Sequence, residues 1–112
     1  MSGRSFPKRG EVYWVELDPA RGETQKTRPG LIVSNDVGNE FSSIVMIAPI
    51  TSKSKNVYSF EVKTTIDGKT AKIMLNQCRA IDKSRILKKI SDIDSNTMQE
   101  VVDAIKVVFA IN

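Results

Sequence analysis

At Asp94 the apolar pattern of this chain changes period, and that change bounds what it can fold into. Upstream, hydrophobic residues come in short runs divided by turn residues: "EVYWVEL" (11–17), "GLIVS" (30–34), "SIVMIAPI" (43–50), "YSFEVK" (58–63) and "AKIMLNQCRAI" (71–81). The runs are rich in Val, Ile and aromatic residues, the signature of strands. Downstream, Met98, Val101, Val102, Ile105, Val108 and Phe109 recur at helical spacing, behind Ser95 and a Thr97-x-x-Glu100 capping pattern. Five or more strands followed by one amphipathic helix predict an α+β fold, a small barrel or curled sheet covered by the helix. At 112 residues the chain has room for one modest core, so 1–112 reads as a single domain with residues 1–8 as a flexible N-terminal segment.

The joints between strands are less uniform. Asp18-Pro19 stops the first strand, and "DPARGETQKT" (18–27) then forms a polar connection longer than the usual 2–6 residues, the kind that carries function or moves. "NDVGNEF" (35–41) reads as a turn region. In "YSFEVK" strict alternation puts Tyr58, Phe60 and Val62 on one face and Ser59, Glu61 and Lys63 on the other. Asp67-Gly68 in "IDGKT" is a strong hairpin signal, leading into a strand in which Leu75, Gln77 and Arg79 share a face. "GLIVS" and "SIVMIAPI" lack alternation, as strands buried on both faces do.

Composition narrows the chemistry. There is no histidine, the commonest general base and metal ligand, and Cys78 is the lone cysteine; a disulfide framework and a thiolate zinc site are excluded. Any catalysis has to run on Arg, Lys, carboxylates, hydroxyls or amides, and no metal or cofactor is expected. Lys and Arg number 17 against 13 Asp and Glu, a formal +4 that mildly favours a polyanionic partner. The opening "MSGRSFPKRG" lacks the apolar stretch of a signal peptide, and no run nears the ~20 apolar residues of a membrane span. A soluble, cytoplasmic protein with no membrane partner is expected.

The candidate site lies at "TRPGLIVSND" (27–36). Pro29 biases Arg28 toward extended geometry, which fixes a planar five-donor cation suited to phosphate at the mouth of a strand. Thr51 ends the next buried run, and antiparallel pairing of these consecutive strands brings Arg28 and Thr51 to one sheet edge. The bland alternatives stay open: Arg28 as a surface arginine paired with Glu23 or Asp36, Thr51 as a turn former, Gln77 and Arg79 as interior polar groups with Asp82 paired to Arg79. Trp14 and Tyr13 read as core residues rather than base-stacking platforms, and Lys53, Lys55 and Lys63 as solvated surface charge.

"RGEVYWVELDPARGETQKTRPGLIVSND" (9–36) strongly resembles the opening of the MazF/PemK/Kid family of toxins, and the likeness continues through "IAPITSK" and "LNQCRAIDKSRI" to the helix. The resemblance implies an SH3-like β-barrel of the CcdB/Kid type with a C-terminal α-helix. The implied activity is that of a type II toxin-antitoxin endoribonuclease, cutting single-stranded mRNA at a short preferred sequence without metal. Its chemistry would be 2′-hydroxyl attack, leaving a 2′,3′-cyclic phosphate and a 5′-hydroxyl. Arg28 matches the arginine of the family's T-R-P motif and Thr51 the hydroxyl residue ending its next long strand, the family's principal catalytic pair; Glu23 is the candidate proton acceptor. Thr27, Asn35, Ser52, Lys53, Gln77 and Arg79 are expected to contact RNA. The implied partners are single-stranded RNA, a cognate antitoxin and a second copy of the chain in a homodimer. The chain departs from the family's pattern at Gln25-Lys26, where a glycine is common, and at Asn76, where an acid is common. The rival expectation on the same barrel is a non-enzymatic, CcdB-like module that acts on gyrase or another protein, because fold alone does not fix function.

Overall fold

The computed structural model describes residues 5–17, 26–52 and 56–112. Its elements are β1 (Glu11–Leu17), β2 (Lys26–Ile32), α1 (Asp36–Phe41), β3 (Ile44–Thr51), β4 (Glu61–Ile66), β5 (Lys69–Met74), β6 (Arg79–Asp82), β7 (Ile86–Asp92) and α2 (Ser95–Val108). The strands form one strongly curled antiparallel sheet in the order β4-β5-β3-β2-β1-β7, with β6 joined to β3. The fold is therefore α+β, an SH3-like barrel arrangement closed on one side by the C-terminal helix.

The bend is centred on β3. Its first half, Ile44 to Ile47, pairs with β6, its last two residues pair with β5, and its other edge pairs with β2. A strand shared in this way has no free edge over most of its length and lies between two cores. One core joins Val12, Leu31, Ile50, Ile73 and Leu75 to Met98, Val101 and Ala104 of α2. The other gathers Val15, Ile32, Val45, Ile47 and Ile81 on the opposite side. Neighbours in β1, β2 and β3 thus feed different cores, which is why these strands read as continuous apolar runs.

Local chemistry explains the elements. The β4–β5 hairpin turns at Asp67 and Gly68, both at positive φ (50° and 78°), the two-residue geometry whose twist matches that of the strands. Helix α2 starts at Asp94, whose carboxylate accepts from the Thr97 N–H; the capping residue is this aspartate rather than Ser95 or Thr97. Between β1 and β7, Glu11 accepts from the Tyr13 hydroxyl at 2.8 Å and pairs with Lys89, which also reaches Asp92. Burial and the bond to Glu11 push the Tyr13 phenol up to about 12.

Three expectations need correction. "NDVGNEF" is not a turn but one short helix, because the Asn35 side chain accepts from the Gly38 N–H and caps it. The long strand through 71–81 breaks at Leu75–Gln77, one turn of 3₁₀ helix, so Gln77 and Arg79 do not share a strand face with Leu75. Residues 58–60 precede β4, and although Val62 is buried and Lys63 exposed as alternation predicts, the Glu61 side chain is drawn in, only 6% exposed and paired with Lys72. The Asp82 carboxylate accepts from the Ser84 N–H at 2.8 Å and caps a 3₁₀ turn.

Candidate active site

A cleft of about 620 Å³ opens where β2 and β3 part, with Arg28, Thr51, Trp14, Lys69, Thr70 and Ile90 among its walls. Its origin is in one proline. The β2–β3 ladder pairs Ile32 with Ile47, Leu31 with Ala48 and Gly30 with Pro49, and stops there. The Val33 N–H donates to the Met46 carbonyl, so odd-numbered residues of β2 turn their backbone groups toward β3, and Pro29, the next of these after Leu31, has no N–H to give. Carried one and two residues further, the same register sets Pro29 against Ile50 and Arg28 against Thr51, and the space between the parted strands is the cleft.

Arg28 is half-buried, and among the described residues none accepts a hydrogen bond from its guanidinium. Asp36, a partner considered for it, instead accepts from the Arg9 N–H at 2.7 Å. An arginine without an acceptor among the described residues, sharing a concave site with a threonine, is an arrangement suited to binding a phosphate. Thr27 and Ser52 also line this cleft. Glu23 and Lys53 lie outside the described residues.

The remaining expected contacts are elsewhere. Asn35 caps α1, the Gln77 amide donates to the Met74 sulfur at 3.5 Å, and Arg79 sits in β6 opposite Ile47. None of the three belongs to the cleft wall.

Trp14 corrects the expectation of a core role. It is 40% exposed, stands opposite Pro29 in the β1–β2 ladder, and contributes an aromatic wall to the cleft. A tryptophan on a strand is core by default; only the parting of β2 from β3 uncovers this one. Lys69 and Thr70 come from the β4–β5 hairpin, folded over so that its turn borders the same space. The Asp-Gly signal marked that turn, but nothing local indicated which surface it would approach.

Comparison with known proteins agrees with this geometry. A family model for the PemK-like, MazF-like toxin of type II toxin-antitoxin systems matches residues 8–109. Endoribonuclease EndoA of Bacillus subtilis (strain 168) is 35% identical over 111 residues, covering 93% of this chain and 95% of that protein. Among solved structures, MazE-MazF (Form-II) from Deinococcus radiodurans superposes with a TM-score of 0.83 at 24% identity, covering 97% of this chain and 100% of that one. A mycobacterial endoribonuclease in complex with its cognate antitoxin gives 0.82 at 20% identity, covering 95% and 97%. The two structures share the fold, while the family model and the Bacillus relative extend the likeness to sequence across nearly the whole chain, which belongs to the PemK-like, MazF-like toxins of type II toxin-antitoxin systems.

Proposed function

We propose that this protein is the endoribonuclease toxin of such a system, cutting single-stranded mRNA at a short preferred sequence in the cytoplasm. The observation that carries the reading is the opposition of Arg28 and Thr51 across the mouth of one cleft. With no histidine and one cysteine in the chain, the nucleophile is assigned to the RNA itself. The ribose 2′-oxygen forms a bond to the adjacent phosphorus as the bond to the 5′-oxygen breaks, giving a 2′,3′-cyclic phosphate and a 5′-hydroxyl. The Arg28 fork takes the charge that builds on the phosphoryl oxygens, an effect that can supply about 3 kcal/mol per donor. The Thr51 hydroxyl orients the phosphate or the departing oxygen, and Glu23 is the candidate acceptor for the 2′-hydroxyl proton. Thr27, Ser52, Lys53 and Lys69 would hold the strand, with Asn35, Gln77 and Arg79 as outlying contacts, and Trp14 offers an aromatic face for a base.

The same reading includes two partners. A homodimer would enlarge the groove available to the RNA, and the acidic, disordered tail of an antitoxin would order in that groove and exclude RNA. Support for the antitoxin comes from the family and from the mycobacterial and Deinococcus relatives solved with theirs.

The test is to incubate purified protein with mixed RNA in EDTA and map the new ends. Cyclic phosphates and 5′-hydroxyls at a recurrent sequence are expected, with no cutting where the scissile ribose is 2′-deoxy. Restoration of activity by magnesium alone, or cutting of the deoxy-substituted strand, rejects the mechanism. Intact RNA combined with inhibition of gyrase supports the CcdB-like alternative.

A further inference from the structure

Beside the cleft, Lys72 and Glu61 form an ion pair at 3.0 Å with only 6% of either side chain exposed. The Lys72 ammonium also donates to the Asn56 carbonyl at 2.8 Å and stands 5.8 Å from the Tyr58 ring centre. Glu61 in turn accepts from the Tyr58 N–H at 3.0 Å. On the strand ladders, Lys72 is the residue opposite Thr51, in the last pair of β3 with β5, and opposite Lys63 in β4. Opposed residues in an antiparallel ladder project on one face with Cβ atoms about 5 Å apart, so Lys72 flanks Thr51 directly. One residue thereby ties the end of β3, through its backbone, to the segment 56–61, through its ammonium.

Stability does not account for such a pair. Desolvating two charges costs as much as their attraction commonly returns, and an apolar pair of similar volume is often as stable or more so. What an apolar pair lacks is direction: it cannot bond Asn56 and the Tyr58 N–H while fixing a strand end. We propose that Lys72 and Glu61 are positioning residues that hold Thr51 in the register its hydroxyl needs against the scissile phosphate. The inference rests on the ribonuclease reading of the cleft. It adds a second tier to the site: Arg28 and Thr51 touch the substrate, while Lys72 and Glu61 act through Thr51.

Replacing both partners separates positioning from folding. Lys72→Met with Glu61→Leu should keep the thermal midpoint near that of the wild type, because no charge is left buried alone. Amide exchange at Thr51, Ser52 and Asn56 should nevertheless accelerate. The single-turnover cleavage rate should fall ~10- to 100-fold, the scale on which misplacement of a reacting group acts, while affinity for an uncleavable 2′-deoxy-substituted RNA is retained. Wild-type exchange and a wild-type rate in this double variant overturn the proposal. Should it fail to fold, Glu61→Gln, which keeps the shape and an acceptor for the Tyr58 N–H, gives the same comparison: a slower rate upholds the proposal and an unchanged one overturns it. If the wild-type protein leaves RNA intact, the ribonuclease reading fails by itself, and exchange at Thr51 still decides whether the pair fixes that strand end.

Discussion

Arg28 joins two properties that a substitution can separate: charge, and a planar fork held by the following proline. Arg28→Ala should lower RNA cleavage at least about a hundredfold with the fold intact, since one lost charge-stabilising donor costs several kcal/mol. Arg28→Lys keeps the charge but not the fork and should recover only part of that loss. Thr51→Ala should slow cleavage, and Thr51→Ser, which restores the hydroxyl, should return most of it. Rate measurements on variants with wild-type circular dichroism check all four. Arg28 was legible in the sequence because its constraint is local, imposed by the next residue. Trp14 was not, because its exposure depends on a proline in the neighbouring strand ending a ladder with a third.

Among the elements, α1 has the simplest dependence on one side chain. Asn35→Ala removes the cap that accepts from the Gly38 N–H and should cost about 1 kcal/mol in a denaturant melt, with Asn35→Asp losing little. A harsher outcome is expected at Leu75, fully buried in the 3₁₀ turn on which α2 packs; Leu75→Ala should cost about 3 kcal/mol. Helix α2 and the β4–β5 hairpin were readable because each rests on a short-range signal, a period of apolar residues or an Asp-Gly pair. The break at Leu75–Gln77 and the burial of Glu61 were not. Alternation along a strand separates its two faces, yet which face is covered depends on elements distant in sequence. In β4 Val62 and Ile66 are buried and Lys63 and Thr65 exposed, as alternation predicts, while Glu61 alone is drawn in against Lys72. α1 hid for a related reason: six residues are too few to show a helical period.

At the scale of the whole molecule, stability should fall in acid. Burial alone would raise the Glu11 carboxyl, but bonds from the Lys8 N–H, Lys89 and Tyr13 bring it below its ordinary 4.5. Asp94 and Asp82 are lowered by the bonds from Thr97 and Ser84. Because these groups bind protons less readily folded than unfolded, their contribution is complete above their ordinary values and lost as pH falls through the lowered ones. The thermal midpoint should therefore be nearly level from about pH 5 to 8 and drop below about 4, and Glu11→Gln should shallow the drop. With a formal +4, the protein should also bind RNA more weakly as salt rises, a dependence that Arg28→Ala should reduce. The parted strands have one more consequence. The only tryptophan of the chain stands in the cleft wall, so the molecule carries its own optical reporter at the place where substrate and inhibitor would compete. Its emission should move to the blue and become less open to acrylamide quenching as either occupant enters, letting the order of binding and release be timed in unlabelled protein.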